Sequence, residues 1–393
     1  MNCKKDFPVF TQFPELVYFD NASTTQKPLS VITSMANCLT QGASNIHRSV
    51  HRHAEEATIR FEDARELLAS FIRADKNEII FTHNCTDAIN LAADLLQLTK
   101  EDQVICSIAE HHSNYLPWAQ KASVIALELN DQGIIDLNQL ERAFTKKTKI
   151  LALSYVSNTT GNIQPVKEAI SLAESKGVLT LIDAAQAIGH FPVDVGALGC
   201  DFLAFSAHKM LGPTGVGVLY GKRDLLHKLS PMRLGGGMVN HIEASKINFK
   251  GPPHGFEAGT PNIEGVIAFG KTIEYFLLHG FDTIERHLKD LESYFKNRFL
   301  GSPYVTSAFP INEQHVPIFT FVPTHGRIDL NQLGRVFSDT YQIALSVGVQ
   351  CCQPLYHSFN LPGAIRASLY VYNTREEIDR FFAAVDDMKD FLR

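Results

Sequence analysis

Between residues 78 and 220 the chain alternates short β-rich runs with helical patterns, and that alternation restricts the fold more than any other feature. Runs at 78–82, 103–107, 124–128, 149–155, 178–182, 202–206 and 216–220 are apolar and of strand length. Segments 86–96 and 165–176 carry apolar residues at helical spacing, the second opening on a Pro suited to a first helical turn. Apolar strands alternating with helices predict a mainly parallel sheet of seven strands, covered on both faces. The last two runs are joined by 208–215, too short for a parallel crossover, so one edge of the sheet is expected to be antiparallel.

Outside this block, 54–72 has a helical period through Ile59, Ala64, Leu67, Leu68 and Phe71. A Gly-rich loop, Gly235-Gly236-Gly237, and a Pro/Gly stretch at 251–261 precede a long helical pattern from 262 to about 300. The remainder mixes helices with strands around 317–322 and 365–370 and ends in a helix after Asn373-Thr374. At 393 residues the chain exceeds what one core usually supports, and the composition shift at 251–261 marks the boundary. The expected division is an N-terminal segment, 1–20, packing with the small domain, a large α/β domain, 21–260, and a small α+β domain, 261–393.

A net charge of −6 and the absence of Lys/Arg runs argue against a nucleic-acid partner. No stretch approaches the roughly 18 apolar residues that cross a bilayer, so no membrane association is expected. Lys4-Lys5 is not followed by an apolar run, so no secretory signal is expected. Seven Cys, an odd number without a C-x-x-C pair, read as free thiols in a reducing, cytoplasmic compartment. The sixteen His form no ligand ladder, and no metal is expected.

Ligands of open α/β sheets bind beyond the carboxyl ends of the strands. Asp183 follows the run 178–182, and Gln186 lies three residues on. Ser206, His208 and Lys209 follow 202–205, while Thr86 follows 78–81 and opens a helix. Singly, each has an ordinary reading: an Asp after a strand caps a helix, and a loop Lys is solvated. Together their roles interlock. A carboxylate against a pyridinium nitrogen keeps that ring an electron sink, and a Lys amine links a carbonyl cofactor as a Schiff base and then moves protons. A helix N-terminus with hydroxyl groups suits a phosphate.

These residues belong to a longer series: Phe19-Asp20-Asn21-Ala22-Ser23, Ile46-His47-Arg48, Glu110-His111-His112-Ser113-Asn114, Ser157-Asn158 and Asp183-Ala184-Ala185-Gln186. It continues through Ser206-Ala207-His208-Lys209, Gly212-Pro213-Thr214-Gly215, Phe256-Glu257-Ala258-Gly259-Thr260-Pro261-Asn262, Arg366-Ala367-Ser368-Leu369 and Tyr372-Asn373-Thr374. In order and extent the series resembles the class V aminotransferase superfamily, and within it the group II (Suf-type) cysteine desulfurases and selenocysteine lyases.

The resemblance implies the fold type I of pyridoxal 5'-phosphate (PLP) enzymes, with PLP bound in the large domain. It assigns Lys209 to the Schiff base, Asp183 to the pyridine nitrogen, Gln186 to the phenolic oxygen and His112 to the ring face, where it also relays protons. Thr86, Ser206 and His208 would hold the phosphate, with the backbone N–H of Cys85 beside them. Thr260 would reach the phosphate of a neighbouring subunit, which makes the active unit a homodimer. Asn158 and Arg366 would bind the substrate carboxylate, a group that an Arg fork matches bidentately.

Family members carry the sulfur-accepting Cys in a loop of the form Arg-Thr-Gly-His-His-Cys-Ala-x-Pro. Here residues 346–354 read Ser346-Val347-Gly348-Val349-Gln350-Cys351-Cys352-Gln353-Pro354. Cys351 matches the nucleophile, but Ser346, Val349 and Gln350 replace the Arg and both His, the cations that would lower a thiol pKa from about 8.5. Cys352 is a second thiol that should point to the opposite face. Two readings stay open. The first is conversion of L-cysteine to L-alanine with a Cys351 persulfide and a sulfur-acceptor protein downstream, extending to selenocysteine or cysteine sulfinate. The alternative is another class V enzyme, a C–S lyase, epimerase or transaminase, in which Cys351 is not catalytic. A silent scaffold does not account for the complete cofactor constellation.

Overall fold

The computed structural model describes residues 1, 3–244, 246–324 and 329–392. A seven-stranded sheet runs in the order Ile79–Thr82, Gly217–Gly221, Phe202–Ser206, Leu179–Asp183, Thr148–Ser154, Gln103–Ser107, Ser123–Leu127. Six strands share one direction. Gly217–Gly221 alone runs against both its neighbours, one place in from the edge rather than at it. The connection is as short as the sequence required, but Ile79–Thr82 pairs on its far side and restores the common direction as the true edge.

Successive side chains of a strand face opposite ways, and here both ways lead to a core. Leu153, Ile182, Leu203, Phe205 and Val218 pack in one buried cluster with Phe61 and Phe276 of the helices Arg52–Phe71 and Ile263–His279. Their alternates Ala152, Leu181, Phe202, Ala204 and Leu219 pack in another with Ile89 and Ala92 of the helix Cys85–Leu95 and with Trp118. Burial on two faces is why these strands read as continuous apolar runs.

The long pattern from 262 is two helices, Ile263–His279 and Phe281–Leu300, parted at Gly280, whose φ of 72° is a left-handed value that favours glycine. Pro165 stands as the N-cap of Val166–Ser175, one residue before the first turn. A four-stranded antiparallel sheet, Val305–Ser307, Ile318–Pro323, Ala364–Ser368 and Ser346–Gly348 in spatial order, packs on Phe295, Phe337 and Phe381. Val17–Tyr18 pairs in parallel with Ile343–Ala344, and Phe19 enters the same cluster as that sheet. The helix Arg375–Asp387, followed only by the short helix Lys389–Leu392, starts from a capping box between Thr374 and Glu377.

Candidate active site

Five strand ends of the large sheet, the segment around Ser23 and the loop after Ser346–Gly348 converge on one cavity of about 590 Å³. Lys209, Asp183, Gln186, Thr86, Cys85, Ser206, His208, Asn158, Arg366 and Cys351 all line it.

Asp183 ends its strand, buried, with Oδ1 accepting from the backbone N–H of Ala185 at 2.9 Å and from the Cys85 thiol at 3.4 Å. Burial raises its pKa, against the pull of the Ala185 N–H, Lys209 and Cys85. A carboxylate in such a position gains from a cationic ring nitrogen beside it. Lys209 closes the single turn Ala207–Lys209 after the strand Phe202–Ser206. Burial lowers its ammonium pKa, opposed chiefly by Asp183, which favours the neutral amine that condenses with a carbonyl.

The helix Cys85–Leu95 points its N-terminus at the cavity, capped by Asn84 Oδ1, which accepts from Asp87 N–H at 2.9 Å. Cys85 N–H donates to Ser206 Oγ at 2.7 Å, and the Thr86 and Ser113 hydroxyls meet at 2.6 Å. The helix N-terminus, the hydroxyls and the adjacent His208 make an anion cradle. Burial brings the His208 pKa down to about 4, helped by Lys209 and Lys27. Gln186 Nε2 donates to the carbonyl of Ala22 at 2.8 Å, which fixes the amide against the cavity wall. Cys85 offers more than its backbone, since its side chain reaches Asp183.

The two histidines of the 111–112 pair separate. His111, N-cap of the turn His112–Asn114, lines the cavity, with Nδ1 accepting from Ser113 N–H at 3.1 Å. His112 is not among the lining residues and donates its backbone N–H to the Cys351 carbonyl at 2.8 Å. His111 rather than His112 is thus brought to the cavity, because the chain changes from extended to turn conformation between them. Burial brings the His111 pKa to about 3, with Lys209, His112 and Arg366 acting the same way. Behind it lies a group that the sequence reading did not single out. Glu110 is buried, accepts from Asn114 Nδ2 and Ser154 Oγ, and is pushed by burial to about 7.

Arg366 is 3% exposed. Its Nη1 donates to the Asn158 carbonyl at 2.9 Å and Nη2 to Ser23 Oγ at 2.8 Å, with Asp20 Oδ1 at 3.3 Å, while Nε is buried without a protein partner. Ser23 and Asp20 come from a motif the sequence displays, though nothing in it specifies that they orient this Arg. Asn158 Nδ2 donates to the Gln350 carbonyl at 2.8 Å and so ties the large domain to the Cys351 loop.

That loop turns through three positive φ values, Gly348 at 115°, Gln350 at 41° and Cys351 at 55°. Cys351 is left exposed at the cavity, whereas Cys352 is buried, with its thiol 3.6 Å from the Ile108 carbonyl and its pKa pushed by burial to about 12. Burial lowers the Arg366 pKa, and Cys351 is one of the groups that oppose this, after Asp20 and Tyr356. Thr260 is exposed and lies outside the cavity, beside Arg60 and Ile263.

The aminotransferase class-V family model matches residues 17–381. The chain belongs to the class-V aminotransferase family. Members of this family with the cavity just described are PLP enzymes, and the donors here fit that cofactor: a depressed lysine, a buried carboxylate and a helix N-terminus. A probable cysteine desulfurase of Halalkalibacterium halodurans is 38% identical over 401 residues, covering 99% of this chain and 98% of the relative. A cysteine desulfurase from Thermococcus onnurineus has a TM-score of 0.91 at 32% identity, covering 98% of this chain and 97% of that one. An Escherichia coli cysteine desulfurase carrying an S-sulfonic acid has a TM-score of 0.90 at 34% identity, with 99% and 98% covered.

Proposed function

We propose that the protein is a PLP-dependent cysteine desulfurase that converts L-cysteine to L-alanine and carries the sulfur as a persulfide on Cys351. The observation that carries this reading is an exposed thiol, Cys351, lining the same cavity as Lys209, Asp183 and Arg366. PLP, when bound, supplies the electron sink that makes the substrate's Cα and Cβ acidic. Lys209 would anchor it and move the Cα proton, Asp183 would pair with the protonated ring nitrogen and keep it cationic, and Gln186 would face the phenolic oxygen. His111 would cover the ring, a role that the resemblance assigned to His112. Thr86, Ser206, His208 and the helix start at Cys85 would hold the phosphate. Arg366 and Asn158 receive the substrate carboxylate, with Arg366 held at the right angle by Ser23 and Asp20. The Cys351 thiolate attacks substrate Sγ. The S–S bond forms as Cβ–Sγ breaks, the bonding pair stays with Cβ, and Cβ takes a proton to give alanine.

The loop carries none of the Arg and His cations expected beside such a thiol, and Lys209 and Arg366 are the cationic groups that Cys351 acts on electrostatically. This favours a weaker nucleophile, and selenocysteine or cysteine sulfinate, whose leaving groups depart more easily, are further substrates under the same reading. Two copies form the working unit, supported by Leu29, Ile32 and Leu39 exposed on the helix Leu29–Thr40 and by Thr260 facing away from its own cavity. A sulfur-accepting protein in the cytoplasm would discharge the persulfide.

Incubation with L-cysteine should release alanine and add one sulfur to the peptide bearing Cys351 and Cys352, detected by mass spectrometry. Cys351→Ala should abolish both. Cysteine turnover that survives Cys351→Ala would sink the persulfide route and favour a C–S lyase, epimerase or transaminase on the same frame.

A further inference from the structure

We propose that His47, Glu62 and His254 form a binding site for a zinc-like divalent transition metal, separate from the cofactor cavity. One ring nitrogen from each His and one carboxylate oxygen all lie within 4.8 Å of one another. The residues come from three segments: the motif around Arg48, the helix Arg52–Phe71 and the Pro/Gly stretch before Thr260. His47 and His254 border a cleft of about 30 Å³, lined also by Arg48 and Glu257, with room for an ion and its water but not for an organic ligand.

The carboxylate is held for this role. Arg65, 1% exposed, is forked onto Glu257 at 2.7 and 2.8 Å and bound to the Ile79 carbonyl at 2.7 Å. Its charge is thus matched by Glu257, and its Nε takes Glu62 Oε2 at 2.9 Å, with a longer contact of 3.4 Å from Nη2 to Oε1. Glu62 Oε1 is turned to His47 Nε2 at 2.9 Å. His47 itself sits at φ 63°, with its backbone N–H donating to Thr58 Oγ1 at 3.0 Å. Its ring meets that of His254 edge-on, 5.1 Å between centroids. Outer partners that fix a ligand's orientation are a regular part of metal sites.

Two imidazoles and one carboxylate suit zinc, cobalt, nickel or copper rather than magnesium or calcium. Bond lengths of about 2.0–2.1 Å place tetrahedral ligand atoms about 3.3 Å apart, so the widest pair here closes by no more than about 1.5 Å through side-chain rotation. The fourth position stays open to water. Bound metal would pin the Thr260-bearing stretch to the long helix and stabilise the folded chain, because it binds that state alone.

The test uses PLP-loaded, chelator-treated protein in a Cys351→Ser background, which removes the exposed thiol, titrated with Co²⁺. One equivalent per chain should bind with visible d–d bands and no thiolate charge-transfer band, and Zn²⁺ should raise Tm. His254→Gln, which keeps bulk and polarity, and Glu62→Gln should each weaken Co²⁺ binding by more than about tenfold and remove the Zn²⁺ effect on Tm. No Co²⁺ binding by the parent, or equal binding by the parent and His254→Gln, overturns the proposal.

Discussion

Adjacent thiols at 351 and 352 receive opposite environments from one turn of backbone, and their substitutions should part accordingly. Cys351 is exposed at the cavity, so Cys351→Ser should leave urea stability within about 0.5 kcal/mol while cysteine turnover is lost. Cys352 is buried against Ile108, so Cys352→Ala should cost about 1 kcal/mol in the same titration and retain turnover. A Cys352→Ala protein that turns over no cysteine would contradict this separation. The two histidines divide in the same way. His111→Ala should shift the visible absorbance of the PLP-loaded protein and weaken cofactor retention in dialysis, and His112→Ala should do neither. Sequence reading chose between the two His by motif alone, whereas the choice is made by backbone angles, which no motif spells out. Lys209 and Asp183 were easier, since each follows an apolar run whose end defines its place. Glu110 could be named only once its burial was known.

Elements position this site through close backbone approaches as much as through side chains. A Cβ on Gly217 would stand 2.3 Å from the carbonyl carbon of Asn84 and 2.4 Å from its Cα, so the antiparallel strand can touch the N-cap of the Cys85–Leu95 helix only without a side chain there. Gly217→Ala must push the backbone at Asn84 and with it the N–H groups of the anion cradle. The expected result is about 1–3 kcal/mol lost in urea titration, together with at least about tenfold weaker PLP retention. If retention equalled that of the parent protein, the helix start would not be what holds the phosphate. The strand runs and the 3.6-residue pattern made the seven strands of the large sheet and the helices Arg52–Phe71, Cys85–Leu95 and Val166–Ser175 legible to within two residues. Legibility failed where a turn was invisible to periodicity. The pattern from 262 continues in phase past Gly280, and only the φ of 72° breaks it. The antiparallel strand's place also escaped, because pairing on its far side is a long-range fact. The same holds for the His47–Glu62–His254 cluster, whose members are too scattered for any ligand spacing to show.

On the scale of the whole molecule, burial sets how the fold responds to acid. Burial brings His111 and His315 to about 3 and His190 to about 4. These values lie below the unfolded value of about 6.5, so as pH falls through 6.5 the unfolded chain takes up protons first. The stabilisation is fully present above pH 6.5 and is lost as pH falls toward the folded values, at up to about 1.4 kcal/mol per pH unit for each group. Glu110, raised by burial to about 7, works the other way: its contribution is present below about 4.5 and lost as pH rises through 7. Asp183, also raised by burial, acts in the same sense as Glu110. These three histidines against Glu110 leave about two protons between pH 6.5 and 4.5, a slope of about 2.7 kcal/mol per unit; His208 and His287, also brought by burial to about 4, add to it, and any part of Asp183's titration in that window reduces it. From this set alone two pH units then remove about 5 kcal/mol, the lower end of ordinary domain stability. Urea titrations followed by circular dichroism should therefore show midpoints falling steadily from pH 6.5 to 4.5. His315 lies outside the cofactor cavity, with Nε2 against the Thr160 carbonyl at 2.8 Å, so it can be changed without touching the chemistry. His315→Gln should lower overall stability yet flatten the slope by about 1.4 kcal/mol per pH unit, one proton's worth. An unchanged slope in that variant would mean that His315 is protonated in the folded state and that other groups govern the acid response.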